Sequence, residues 1–231
     1  MFSAAPRNPD DPGSEGVDPP EFQKYFVRHG RFTAGTATQY NPSIITAAPT
    51  HQHLAKGFVI GMRFHSAQVI RLADARPVQL GHTVRADGRW RLFLFAGNDD
   101  PAASSSSLRT LCNFLGDSPH SPVRKYTPAK ADIDSVIDVR AIFQQSHREL
   151  ALDAMPAFLL PQKGRYGLRD YEKMFCPDPK SGNDIFDMRG IHRQKGCIVI
   201  VRPDQYIAHI LPINAPSEIA RFFDGFMLPA N

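Results

Sequence analysis

Several groups of side chains in this 231-residue sequence are of types that do chemistry. His51 and His53 stand at i, i+2, with His65 and His82 further on, and imidazoles are common metal ligands. No carboxylate or thiolate sits at a supporting spacing, so the plain reading is solvated loop histidines. Asp170, Tyr171, Glu172 and Lys173 form a run with the look of a general acid–base set. His192, Arg193 and Lys195 precede an apolar strand and could bind an anion weakly, with a solvated loop as the default reading. Ser104 to Ser107 lacks the G-x-S-x-G elbow that exposes a hydrolase nucleophile. Cys112, Cys176 and Cys197 are widely spaced, odd in number and free of any C-x-x-C pair, which points to neither a disulfide framework nor a zinc cluster. Cys112 shares an apolar face with Leu108, Leu111 and Leu115, and Cys197 opens an apolar strand, so both read as small hydrophobes. No catalytic, cofactor-binding or metal-binding residue is assigned.

These groups must be positioned by elements that the hydrophobic pattern defines. From Gly196 to Ile210, two β-branched stretches flank Pro203-Asp204, a pair suited to the centre of a type I turn, and predict a hairpin. Pro216-Ser217-Glu218 then starts a helix whose Ile219, Phe222, Phe223 and Phe226 form one stripe facing a sheet. Arg89 to Ala96 is a predicted strand in which Trp90, Leu92 and Leu94 alternate with Arg91, Phe93 and Phe95, buried on both faces. Ser104 to Ser107 supplies N-cap candidates for a helix ending at Leu115. Ser135 to Phe143 is a second strand, parallel to the first through that helix. An irregular helical region precedes Pro156, and Pro161 to Phe186 reads mostly as loop. Upstream, Arg76 to Leu80 opens the compact part, Phe58 to Arg63 is a short strand or extended entry, and Thr36 to Gly57 is a long connection. Glu21 to His29 is a short helix with Phe22, Tyr25 and Phe26 on one side. Met1 to Pro20 holds five prolines and reads as a disordered lead. Periodicity alone gives α/β or α+β.

Composition removes whole classes. The net charge of +4 rests on 27 basic against 23 acidic residues. Arg28, Arg31, Arg63, Arg71, Arg85, Arg89 and Arg91 are scattered, whereas a nucleic-acid footprint is clustered. Nucleic acid is therefore not an expected partner. No apolar stretch approaches the roughly 20 residues that span a bilayer. Met1 to Gly16 lacks the charged head and apolar centre of a signal peptide, which gives a cytoplasmic expectation. A hydrophobic fraction of 42% suffices for one sizeable core. The dinucleotide pattern G-x-G-x-x-G is absent: Gly57 to Gly61 and Gly30 to Gly35 have the wrong spacing.

Seven stretches carry a resemblance: Gly30 to Tyr40, Asp87 to Gly97, Ser121 to Tyr126, Asp138 to Ile142, Asp170 to Phe175, the hairpin, and Phe222 to Phe226. In that order, over residues 15 to 228, the chain resembles the last third of the flavin-dependent aromatic hydroxylases of the phenol 2-monooxygenase and 3-hydroxybenzoate 4-monooxygenase group. The resemblance implies a thioredoxin-like α/β domain used mainly for dimerisation. It has a mixed central sheet with flanking helices, preceded by a mostly extended N-terminal segment with one short helix. The implied divisions are a lead over 1–20, a remnant helix and linker of the catalytic region over 21–57, and the dimerisation domain over 58–228. Redox members of the fold use a paired thiol at a helix N-terminus, where this sequence has Asn98-Asp99-Asp100-Pro101 and serines. Gly116-Asp117-Ser118-Pro119-His120 imitates the family's flavin-ribityl motif but follows a predicted helix and reads as chance. On the resemblance, Asp170 to Lys173 lie in a surface loop near the dimer contact. Gln205 stands where relatives commonly carry glycine, which implies that positive φ is not required there. FAD and NADPH are implied for the complete family enzyme, with none bound by this chain alone. The implied partner is a second copy or a related flavoprotein hydroxylase. Two functions follow: a noncatalytic assembly module, or one part of a split or truncated FAD- and NADPH-dependent aromatic-ring monooxygenase, active only with an upstream FAD-bearing chain.

Overall fold

Trp90–Phe95 is buried at all six positions, which is possible only for a strand with neighbours on both edges and cover on both faces. The computed structural model describes residues 19–182 and 184–229. The lead expected over 1–20 lies, up to residue 18, outside the described residues. Two compact units divide the chain, Met1–Gln39 and Tyr40–Asn231. The first contains α1 (Pro19–Thr33), longer than the Glu21 to His29 helix predicted. Prolines at its start preset a helical φ, and Phe22/Phe26 and Tyr25/His29 meet as i, i+4 ring pairs at 6.5 and 4.3 Å.

The second unit comprises β1 (Gln68–Arg71), β2 (Pro77–Gln79), β3 (Trp90–Phe95), α2 (Ser107–Asp117), α3 (Pro122–Tyr126), β4 (Ile137–Ile142), β5 (Gln162–Lys163), β6 (Leu168–Arg169), β7 (Met174–Pro177), α4 (Ile185–Met188), β8 (Cys197–Val201), β9 (Ile207–Leu211) and α5 (Pro216–Asp224). Among the described residues, seven strands form one mixed sheet in the order β2-β1-β7-β4-β3-β8-β9, and β5 pairs with β6 alone. β3 and β4 run parallel through α2, β3 and β8 antiparallel, and β8 and β9 close a hairpin before α5. This is the strand–helix–strand, hairpin, helix order expected for the thioredoxin-like fold.

Side-chain alternation splits the core into two layers. Trp90, Leu92 and Leu94 face α2 and α5, together with Ile137, Val139, Ile198 and Ile200. Trp90 meets the rings of Phe223 and Phe226 at 5.5 and 5.0 Å, so the aromatic stripe of α5 lies on the sheet as its spacing requires. Phe93 and Phe95 face the other way, into a layer built from Leu54, Phe58, Ile60, Phe64, Ile185 and Phe186. Irregular chain covers this second face. Phe58 to Arg63, expected as a short strand or extended entry, consists of turns whose Phe58 and Ile60 are core plugs. Each such phenylalanine, fully buried, contributes roughly 2–3 kcal/mol.

Two further expectations are corrected. The segment from Pro161 to Phe186, read as mostly loop, contains β7, an internal strand between β1 and β4. Its four residues, Met-Phe-Cys-Pro, are too few to show an alternation. Gln205, expected to need no positive φ, has φ +68°. Gln205 N donates to Arg202 O at 2.9 Å to close the turn, and the hairpin register then shifts by one residue near Val201. A three-residue loop of this kind places its last residue in the left-handed region whatever the side chain. The glutamine is held there because its Oε1 accepts from Arg63 Nη2 at 3.1 Å and its carbonyl from Phe64 N at 2.8 Å.

Candidate assembly site

Arg91 on β3 and Asp138 on β4 are register partners, and both are buried. A charge inside a doubly covered strand must be paired, and here the pairing extends into a network. Arg91 Nε lies 3.0 Å from Asp138 Oδ2, an ion pair by distance although that N–H is not aimed for a hydrogen bond. Arg91 Nη2 donates to both oxygens of Asp87 at 2.8 Å. Arg140 Nε donates to Asp138 Oδ2 at 2.9 Å. Lys173, immediately before β7, donates from Nζ to Asp134 Oδ2 and Asp138 Oδ1, both at 2.5 Å. Asp134 also pairs with Arg89 at 3.7 Å and Lys163 at 2.8 Å.

Burial alone would raise the Asp138 carboxyl, but Arg140, Lys173 and Arg91 outweigh it and hold the group at about 2. Asp134 is lowered in the same way, its burial penalty overcome first by Lys173. Carboxylates that stay charged at neutral pH cannot act as general acids there, so the arrangement positions chain rather than protons. The Asp170 to Lys173 run is thereby corrected. It is not one surface loop: Lys173 is 3% exposed and interior, while Tyr171 and Glu172 are outside.

The network also anchors an arm that pairs only with itself among the described strands. β5 and β6 form a short ribbon over Gln162–Arg169, with Tyr166 78%, Leu168 70% and, just beyond it, Tyr171 44% exposed. Three large, exposed apolar or aromatic side chains within six residues make this ribbon a candidate interaction surface. At its base Lys163 bridges Asp134 and Asp170, at 2.8 and 3.3 Å, Gly164 N donates to Asp132 Oδ1 at 2.8 Å, and Asp170 N to Pro161 O at 2.8 Å. The ribbon therefore leaves the body on a fixed footing.

The remaining candidates are dispersed. His51 Nε2 is 3.3 Å from Glu218 Oε2 on α5, and its ring is 6.2 Å from that of His53. Among the described residues, no three His, Cys, Asp or Glu side chains are grouped to hold a metal ion. Arg193 Nη2 pairs with Asp184 and Asp187, each at 2.8 Å, so its charge is already neutralised. Cys112, Cys176 and Cys197 are free and buried. Burial pushes the Cys112 and Cys176 thiols up to about 12 and that of Cys197 higher still, which removes thiolate chemistry. The helix after β3 is the element that would cradle a dinucleotide phosphate. Its N-terminus is occupied by a carboxylate instead, because Asp99 Oδ2 accepts from Ser107 N at 2.8 Å. Ser106, the N-cap residue, makes no capping bond. A negative side chain in that place repels a pyrophosphate, so the described residues at this helix do not fit FAD.

The family model described as the phenol hydroxylase C-terminal dimerisation domain matches residues 38–231. The chain belongs to that family. The dimerisation domain is 56% identical over 216 residues to a 3-hydroxybenzoate 4-monooxygenase of Comamonas testosteroni, covering 93% of this chain and 34% of that protein. It is 37% identical over 211 residues to the FAD-dependent monooxygenase terD of Aspergillus terreus, covering 90% of this chain and 34% of that protein. The domain thus spans about a third of the length of the curated relatives it matches. Among solved structures, the thioredoxin domain of a thiol-disulfide oxidoreductase from Bacteroides vulgatus matches with TM-score 0.43 and 14% identity, over 69% of this chain and 94% of that one. No described helix is long and apolar enough to cross a membrane.

Proposed function

We propose that this dimerisation domain is an assembly module without catalysis of its own, which pairs with a second copy through the arm bearing Tyr166, Leu168 and Tyr171. The observation that carries the reading is the exposed apolar arm on an ion-paired footing, in a chain matched by a dimerisation family. A rigid footing lowers the ordering cost of association. The test is light scattering with the purified chain and with a Tyr166→Asp/Leu168→Asp variant. A dimer that becomes a folded monomer in the variant supports the reading. A monomeric parent chain overturns self-pairing, and a variant that stays dimeric overturns the arm as its contact.

A second reading rests on length. The relatives are monooxygenases of which this chain matches 34%, so the chain acts as part of an FAD- and NADPH-dependent aromatic-ring monooxygenase completed by an FAD-bearing region or polypeptide. The heteromeric partner is then a related flavoprotein hydroxylase, and co-purification with one tests it. Three free buried thiols fit a reducing compartment, and we assign the module to the cytoplasm.

A further inference from the structure

Arginines that the sequence spreads from residue 71 to residue 140 meet in one cleft. Arg71, Arg76, Arg85 and Arg140 line a depression of about 420 Å³ beside the edge strand β2, together with Gln79, His82 and Thr83. Glu172 is its one lining carboxylate. Two of the guanidinium groups are already engaged: Arg71 with Asp74 and Glu172 at 2.6 and 2.7 Å, and Arg140 with Asp138. Arg76 and Arg85 are exposed, and among the described residues neither has a carboxylate in an ion pair. Two of the four arginines lining the cleft are thus matched by carboxylates, and Arg76 and Arg85 supply the excess of positive charge.

The backbone holds this arrangement in a conformation that side chains disfavour. Ala75, between β1 and β2, has φ +55°. Asp74 secures the turn, its Oδ1 accepting from Arg71 Nε at 3.0 Å and from Arg76 N at 3.2 Å. The carboxylate that locks Arg71 thus also fixes the backbone from which Arg76 projects.

We propose that this cleft binds a small phosphate-bearing anion. Guanidinium forks match phosphate oxygens two at a time, and among the described residues two of the four here form no close ion pair with a carboxylate, although Asp74 lies near enough to Arg76 to feel its charge. The volume is within the range of small-molecule sites, and the side chains of Gln79, His82 and Thr83 are of types that add polar contacts. The cleft adjoins the assembly arm at Glu172, next to Tyr171, but anion titration and light scattering read the two independently, so failure of this binding leaves the assembly reading untouched.

Calorimetric titration of the full chain with inorganic pyrophosphate at low salt tests this. Saturable binding is expected, weakening as salt rises. An Arg76→Ala/Arg85→Ala variant should bind about tenfold more weakly. Its melting temperature should match the parent's, because both side chains are exposed. Glu172→Gln, which removes the cleft's own negative charge, should bind about threefold more tightly. Absence of saturable heat, an Arg76→Ala/Arg85→Ala variant that binds like the parent, or citrate binding as tightly as pyrophosphate would each overturn the proposal.

Discussion

At Gly196 two constraints coincide. Its φ is +61°, and a Cβ there would press on the carbonyl oxygen of Phe95 and lie 2.8 Å from Gly97 N. Both neighbours are backbone at the end of β3 and cannot move aside. Gly196→Ala should therefore cost about 3 kcal/mol, from the left-handed conformation and the clash together, read as a lower urea midpoint. Gln205 shares the positive φ but makes the contacts to Arg63 and Phe64 that hold it there. His209 on β9 carries a different constraint. Burial, with His51 adding to it, pushes its imidazole down to about 4, while Glu218 opposes the shift. Its Nδ1 accepts from Ile210 N at 3.0 Å and is therefore unprotonated. A histidine lowered by folding stabilises fully above its unfolded value near 6.5 and loses that stability as pH falls toward 4. Unfolding free energy should drop by about 2 kcal/mol over that interval, after discounting for partial exposure. His209→Phe should flatten the drop, and an unchanged pH profile in the variant would exclude this group.

At the scale of elements, the ion network ties β3, β4 and β7 at one end of the sheet. Lys173→Met leaves Asp134 and Asp138 buried without their shared cation, and should cost about 3–5 kcal/mol at neutral pH. Asp138 sits at about 2 in the folded chain, below its unfolded value near 3.9, so its contribution is present above the latter and lost as pH falls through the former. The gap between parent and variant should therefore narrow across that window, as denaturant titrations at about pH 6 and about pH 3 would show. Strands β3, β4, β8 and β9 were legible because they are long, β-branched or aromatic, and bounded by turn residues. β7 was not, since four residues hold no period, and β1 is as short. The network was half visible: Arg91 inside Trp-Arg-Leu-Phe-Leu-Phe and Asp138 inside Ile-Asp-Val-Arg-Ala-Ile are charges in apolar strands, which demand partners. Nothing in the linear order shows that Lys173 supplies one, because that depends on the position of β7. The arginine cleft was hidden for the same reason, as clustering across strands leaves no run in the sequence.

At the scale of the whole molecule, the carboxylate at the start of α2 sets the expectation for cofactor. The purified chain should show no flavin absorbance between about 350 and 500 nm, and stoichiometric yellow colour would overturn the assembly reading. The two faces of the sheet also hold their cysteines unequally. Cys112 and Cys176 belong to the layer beneath α2 and α5, and Cys197 to the layer covered by irregular chain. All three are sealed from reagent, so each can be alkylated only when its own cover lifts. Pulses of an alkylating reagent followed by mass spectrometry would therefore time the breathing of each face separately. The side roofed by turns should be labelled first.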